Sequence, residues 1–285
     1  MVDKLNRNYI LHIRSRTGEL VTIQPPFTLE LDIIRNSYAS ANVCSIRVYN
    51  LAENTRNLIR KDRQDSNVFR DVTLWAGYGD KLSMVFNGNV TQAWSVREGT
   101  NFVTQIESFD GGYAFANATT NVQFPEGTSY NSIIASLLKS LPHVKVGKIS
   151  NFSGSIPRGN TYSGSTVEII NQLTGNSFFI DNGIANCLID SDVTNDPVYE
   201  VSSESGLLGT PLLEEIYVVF DILFEPKLKI GQRIQLNSIT GKNFNTEYKI
   251  VGLKHKAVIS ESVCGEAKTT IEVLSKLNSS QRGIT

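Results

Sequence analysis

The sequence predicts a β-rich α+β fold: two antiparallel β-barrel domains with an α/β module between them. Three observations predict it. Apolar and polar residues alternate with period two from about residue 7 to 113, and again from about 198 to 277. Helical periodicity with capping signals is concentrated between them, from 114 to 197. Gly-rich turns separate the short alternating runs, the spacing expected of barrels and sandwiches rather than of a parallel sheet.

The strands follow in order. Tyr9 to Ile13 is a short apolar run, and Phe27, Leu29, Leu31 and Ile33 alternate with Thr28, Glu30 and Asp32. Cys44, Ile46 and Val48 alternate in the same way, which marks half-buried strands. Asn50 and Glu53 have capping-box spacing, so a short amphipathic helix is expected over about 51–61, with Leu51, Leu58 and Ile59 on the apolar face and Arg56, Asn57, Arg60 and Lys61 opposite. Strands resume at Val72–Ala76, continue from Leu82 to Arg97 around Gly88, and close with Phe102–Phe109, where Asp110-Gly111-Gly112 punctuates the domain.

In the middle module, Thr128 or Ser129 caps a helix whose stripe is Tyr130, Ile133, Ile134, Leu137, Leu138 and Leu141, and Pro142 ends it. Ser165 and Glu168 open a second helix, and Gly175 suits its left-handed end. Phe178–Ile180 and Ile184–Ile189 form a hairpin across Asn182-Gly183, a favoured two-residue turn. Ser191 to Pro197 reads as a boundary. Beyond it, Ile216–Leu223 reads as a long buried strand, followed by strands around Ile234, Ile250 and Ile271, and residues 278–285 form a polar tail.

Composition narrows the function. With 27 Lys plus Arg against 28 Asp plus Glu, the net charge is −1, so the basic surplus that displaces counterions from phosphates is missing and no specific nucleic-acid binding is expected. The first residues carry charges of both signs and no apolar core, unlike a signal peptide, and no run is long enough for a membrane anchor. Cys44, Cys187 and Cys264 are far apart, which excludes a CxxC zinc or redox motif and suits a reducing compartment.

No catalytic, cofactor-binding or metal site is expected. Gly241-Lys242 lacks the glycine and the Ser/Thr of a phosphate loop, and Gly77-x-Gly79 is followed by Leu82 where a dinucleotide fingerprint needs its third glycine. His12, His143 and His255 are scattered, with no paired spacing for zinc. Cys44 and Cys187 lie in strand-like runs rather than at the helix N-terminus that activates a thiolate. Gly154 to Gly159 has the wrong register for a serine elbow, and no pair of carboxylates stands out. Gly127-Thr128-Ser129-Tyr130 faintly resembles the opening of a LysM peptidoglycan-binding module, against the simpler reading of a capped helix.

Several segments in order resemble the baseplate central hub family of contractile-tailed bacteriophages, including Mu-like relatives and the hub half of type VI secretion spikes. Ile46 to Leu51, with Thr55-Arg56 and Ile59 to Asp62, resembles the family's strand, Asn-Leu step and helix. Val72 to Tyr78 with Val85 to Val90 is similar to its strand pair, and Ser108 to Gly111 to its closing strand. Ser205 to Pro211 resembles a lead-in loop, Phe224 to Ile234 a glycine turn, and Tyr248 to Val251 a strand ending at His255. Lys256 to Lys268 departs from the pattern, lacking the Gly-Asp…Trp signal before the last strand.

The resemblance implies two tail-tube-like barrels per chain and a homotrimeric, pseudo-hexameric ring joining the hexameric tail tube protein to the trimeric spike protein. The tape measure protein is a further candidate partner. It implies a structural, non-enzymatic role in the virion's tail baseplate after synthesis in the host cytoplasm. The competing readings are another tail ring or tube component, or a peptidoglycan-binding or hydrolytic tail protein.

Overall fold

A computed structural model describes residues 4–38, 40–62 and 69–274. The first part forms β1 (Arg7–Arg14), β2 (Leu20–Ile23), β3 (Leu29–Asn36), β4 (Val43–Tyr49), α1 (Glu53–Ile59), β5 (Arg70–Tyr78), β6 (Lys81–Glu98) and β7 (Asn101–Phe109). The middle holds α2 (Gly112–Asn117), β8 (Thr119–Phe124), α3 (Tyr130–Lys139), β9 (Lys145–Ile149), β10 (Asn160–Ser165), α4 (Thr166–Thr174), β11 (Phe178–Asp181) and β12 (Ile184–Cys187). The last part adds β13 (Tyr199–Ser202), β14 (Leu207–Glu214), β15 (Tyr217–Leu223), β16 (Arg233–Asn237), β17 (Glu247–Ile259) and β18 (Ala267–Leu274). The polar tail, 278–285, lies outside the described residues. No described helix is long and apolar enough to cross a membrane.

The β-rich class follows from the alternation. Leu29, Leu31 and Ile33 of β3 and Cys44, Ile46 and Val48 of β4 point inward and are buried, while Glu30, Asp32, Ser45 and Arg47 face the other side. Local chemistry sets the helix ends. The Ser129 hydroxyl accepts from the Ser132 N–H and the Ser165 hydroxyl from the Glu168 N–H, each satisfying a donor that a helix leaves open. Ser165→Ala is therefore expected to cost about 1 kcal/mol of stability, measured by urea unfolding. Asn182 and Gly183 both adopt positive φ, the conformation of a tight type I′ turn joining β11 to β12.

Four expectations need correction. Asn50 does not cap α1: it has positive φ, and its side chain binds across to Phe102 N and Asn101, leaving Ala52 before the helix. Lys61 is not on a solvated helix face but is buried beyond the helix end, its ammonium donating to Thr91 O and its backbone bridging Ala93. β15 is buried on one side only, through Val218, Phe220 and Ile222. β17 does not end at His255 but runs on to Ile259, and Ala257 pairs with Ala267, so the hairpin with β18 forms without the usual signal.

Among the described residues, the strands of both β-rich parts join one thirteen-stranded sheet, in the order β14-β15-β18-β17-β3-β4-β7-β6-β5-β1-β2, with β16 also on β17 and β13 on β16. The path is open, with β14 at one end and β2 at the other. Within it one antiparallel pattern occurs twice. β3-β4-β7-β6-β5 and β14-β15-β18-β17-β16 have the same order: first, second, fifth, fourth and third in sequence. Even the irregularities match, since β6 shifts register against β7 between Val90 and Gln92, and β17 shifts against β18 between Ile250 and Gly252. The two units meet at a seam where β17 pairs with β3 from Gly252↔Asn36 to Ile259↔Leu29.

Three apolar clusters lie beneath this framework. One is built mainly from the first part, one from the middle and one from the last. They interlock: Phe224, Ala257 and Ile259 of the last part join the first cluster, and Phe179 of the middle joins the third.

Candidate functional site: the buried junction

Arg35 falls in phase with Leu29, Leu31 and Ile33, so the pleat of β3 carries its guanidinium inward. Its side chain is fully buried where all three parts of the chain meet. Nη1 donates to Asp181 Oδ1 at 3.2 Å, and Nη2 donates to Leu228 O at 2.6 Å and to His255 Nε2 at 2.9 Å. Asp181 closes β11 beside the type I′ turn, and its Oδ2 accepts from Ile230 N at 3.3 Å. One arginine thus ties β3, the middle hairpin and the last unit together.

His255 has a determined role in this network. Guanidinium groups only donate, so Nε2 must be the unprotonated acceptor and Nδ1 must carry the hydrogen. Nδ1 lies 2.9 Å from Thr269 Oγ1, which also accepts from Glu225 N. Burial, and then the charge of Arg35, push the imidazole pKa well below its ordinary value, so the ring is a neutral strut.

A second clamp stands next to the first. Asp110, just beyond β7, accepts from Asn182 N and, at 2.9 Å, from Gly183 N. Burial and then the nearby Asp181 raise its pKa to about 7, while the two backbone donors and Arg35 pull the other way. Asn42, fully buried, donates to Ile180 O and accepts from Asn36 N, and its carbonyl receives Asp110 N. The middle hairpin is therefore held by the linked Asn42 and Asp110, at the β3–β4 connection and the end of β7.

The side chains weighed for chemistry are dispersed. His12 packs edge-on against Trp75 at 4.9 Å in β1, and His143 packs edge-on against Tyr113 at 4.8 Å. Cys44 and Cys187 are buried, and burial raises both thiols, Cys187 to about 12, while Cys264 is exposed between β17 and β18. Lys242 begins a short 3₁₀ turn, and Ser129 spends its hydroxyl on the α3 cap. Among the described residues no group of three His, Cys, Asp or Glu could hold a metal ion. Arg35, Asn42 and Asp181 were not singled out from the sequence. The signal for Arg35 was present, as a charged residue in the inward phase of an apolar strand.

The face of the seam opposite the cores is polar and charge-paired. Arg47 bridges Glu30 and Glu98, Lys254 bridges Asp32, and Lys268 bridges Asp221 and Glu266. Such half-exposed pairs add little stability, but they keep the central strands solvated on one side.

A family model described as baseplate hub gp41 matches residues 10–261, which takes in the seam, Arg35, Asp181 and His255, the whole first unit and the second as far as the end of β17. The chain belongs to the baseplate hub gp41 family. That family is one of structural bacteriophage tail proteins. Among solved structures, the chain is similar to the 43 kDa tail protein of prophage MuSo2 from Shewanella oneidensis, with a TM-score of 0.61 and 9% identity over 95% of this chain and 97% of that one. It is also similar to the E. coli c3393 protein, a component of the type VI secretion system, with a TM-score of 0.58 and 9% identity over 92% and 76%. A chain of the Francisella PdpA-VgrG complex matches with a TM-score of 0.56 and 11% identity over 98% and 54%. At these identities the likeness is one of fold. No curated protein sequence matches.

Proposed function

We propose that this baseplate hub chain is a non-enzymatic symmetry adaptor. Three copies form a ring in which each chain contributes two similar β units, so six similar units meet the hexameric tail tube while the threefold end receives a trimeric spike. The observation that carries this reading is the repeated strand order within one continuous sheet. Two units of the same topology, fixed side by side by the β3·β17 seam, give a chain with the pseudo-twofold repetition that a threefold-to-sixfold adaptor requires. In this reading each unit curls as a tube-like barrel, residues 1–113 and 198–277 supply the two barrels, and 114–197 widens the ring on the spike side.

The buried junction suits such a part, because force passing from spike to tube must not rotate one unit against the other. Likeness to a chain of a VgrG complex supports a spike partner, and membership of the hub family supports a place in the virion's tail; in this reading the chain is made in the host cytoplasm. Imaging of the purified chain, alone and with tube and spike proteins, tests the proposal. A ring of three chains is expected. A chain that stays monomeric in every mixture would overturn it.

A further inference from the structure

The seam inside the chain specifies how one copy meets the next. Position four of the last unit, β17, pairs with position one of the first unit, β3. The strands that hold the same two positions outside the seam are β6, position four of the first unit, and β14, position one of the last. Among the described residues, β14 is paired only on its β15 side. β6 is paired along its first half by β5, but beyond Ala93 no described strand lies on the side away from β7.

We propose that β14 of one copy pairs antiparallel with the second half of β6 in a second copy, with Leu212 placed opposite Val96. The inference rests on the ring reading above and adds its strands and register. The matched register shifts align Gly252 with Gln92, so Lys256 of the seam corresponds to Val96. On the other strand, Ser45 and Val219 hold the same place, opposite Glu107 and Glu272, which makes Asp32 correspond to Leu212. The seam pair Lys256↔Asp32 thus becomes Val96↔Leu212 between copies.

The residue types fit that placement. Val96 is 41% exposed and Leu212 59% exposed, apolar side chains left open among the described residues. Inside the chain the corresponding positions are charged, as suits a seam already held by the buried junction. An edge strand with exposed leucines is an aggregation hazard unless a partner strand occupies it. The backbone is poised as well. Ala93 exchanges both main-chain hydrogen bonds with Lys61 on this side, so strand alternation turns the N–H and C=O of Ser95 and Arg97 to the same open edge. In this register Ser95 falls opposite Leu213 and can exchange both bonds, whereas Arg97 falls opposite Pro211, which has no N–H, and can only donate to the Pro211 carbonyl. Lys61 also sets the limit of the contact, which starts at Trp94. The interface joins two different edges, and such head-to-tail contacts generate rings when the rotation closes.

A cysteine pair tests the register. Val96 and Leu212 would form a non-hydrogen-bonded pair with Cα atoms about 4.5 Å apart, within disulfide range. In a full-length Cys264→Ser background, V96C/L212C should convert most of the multimer to covalently linked chains on mild oxidation, resolved on a non-reducing gel. V96C paired with L20C, on the opposite open edge β2, should leave the chains unlinked. As a second readout, V96E and L212K should each shift the multimer toward monomer, and the two together should restore it. Multimers that form but do not link through V96C/L212C, or that link through L20C instead, would overturn the inference and leave the ring standing. A chain monomeric by light scattering at every concentration would overturn the ring reading and the inference with it.

Discussion

Replacing Arg35 with methionine is expected to destabilise the chain by about 3–5 kcal/mol, because it leaves the Asp181 carboxylate buried without its cation. The loss exceeds that of a surface ion pair, which would be about 0–1 kcal/mol, since the Arg35 side chain is wholly buried and also serves Leu228 O and His255. Urea unfolding measures it. Pairing R35M with D181N should recover part of the loss, by about 0.5–3 kcal/mol, because the uncompensated charge is then gone. A cost for R35M under about 1 kcal/mol would show that water reaches the junction and replaces the arginine. On the adaptor proposal, the variant is also expected to loosen the proposed ring, since the same side chain holds the two β units and the middle hairpin together.

Asp110 is expected to make stability fall as pH rises from about 4 to about 7. Its folded pKa of about 7 stands above the ordinary carboxylate value of 3.8, so between these values the folded chain holds a proton that the unfolded chain has released. Its contribution is fully present below the unfolded value and is lost as pH passes through the folded one. A shift of this size corresponds to about 4 kcal/mol at most, the order of magnitude set by 1.36 kcal/mol per unit. Asp110→Asn cannot ionise, so the stability difference between the native chain and the variant should favour the native chain more at about pH 5 than at about pH 8. The difference cancels the titration of all other groups. A difference that stays level with pH would show that the carboxylate is ionised throughout, held by the Asn182 and Gly183 N–H groups.

Much of the local structure was legible because it depends on neighbours in sequence. Alternation of Leu29, Leu31 and Ile33, or of Cys44, Ile46 and Val48, specifies which face of a strand is buried whatever it pairs with. The Ser165 and Gly175 signals at the ends of α4 and the Asn182-Gly183 turn act within a few residues, and all are realised. Asn50 was misread because capping-box spacing does not reveal a competing acceptor: Phe102 N, distant in sequence, takes the side chain that would have capped α1. Lys61 was misread because helical phase was carried past the last turn, where a bridge to Ala93 turns the chain inward.

By itself, the sequence determined the β-rich class, the helical middle, the hairpin at Asn182-Gly183 and the resemblance to hub proteins. The tertiary structure alone decided that the two β-rich parts share one sheet through β3·β17, that Arg35, Asp181 and His255 converge, and that Asp110 grips the hairpin turn. The reason is the range of the forces. Periodicity and capping act over one or two turns of chain, whereas Arg35 lies 146 residues from Asp181 and 220 from His255. Such partners are chosen only when strand pairing brings them together, and burial then makes each charge need the other.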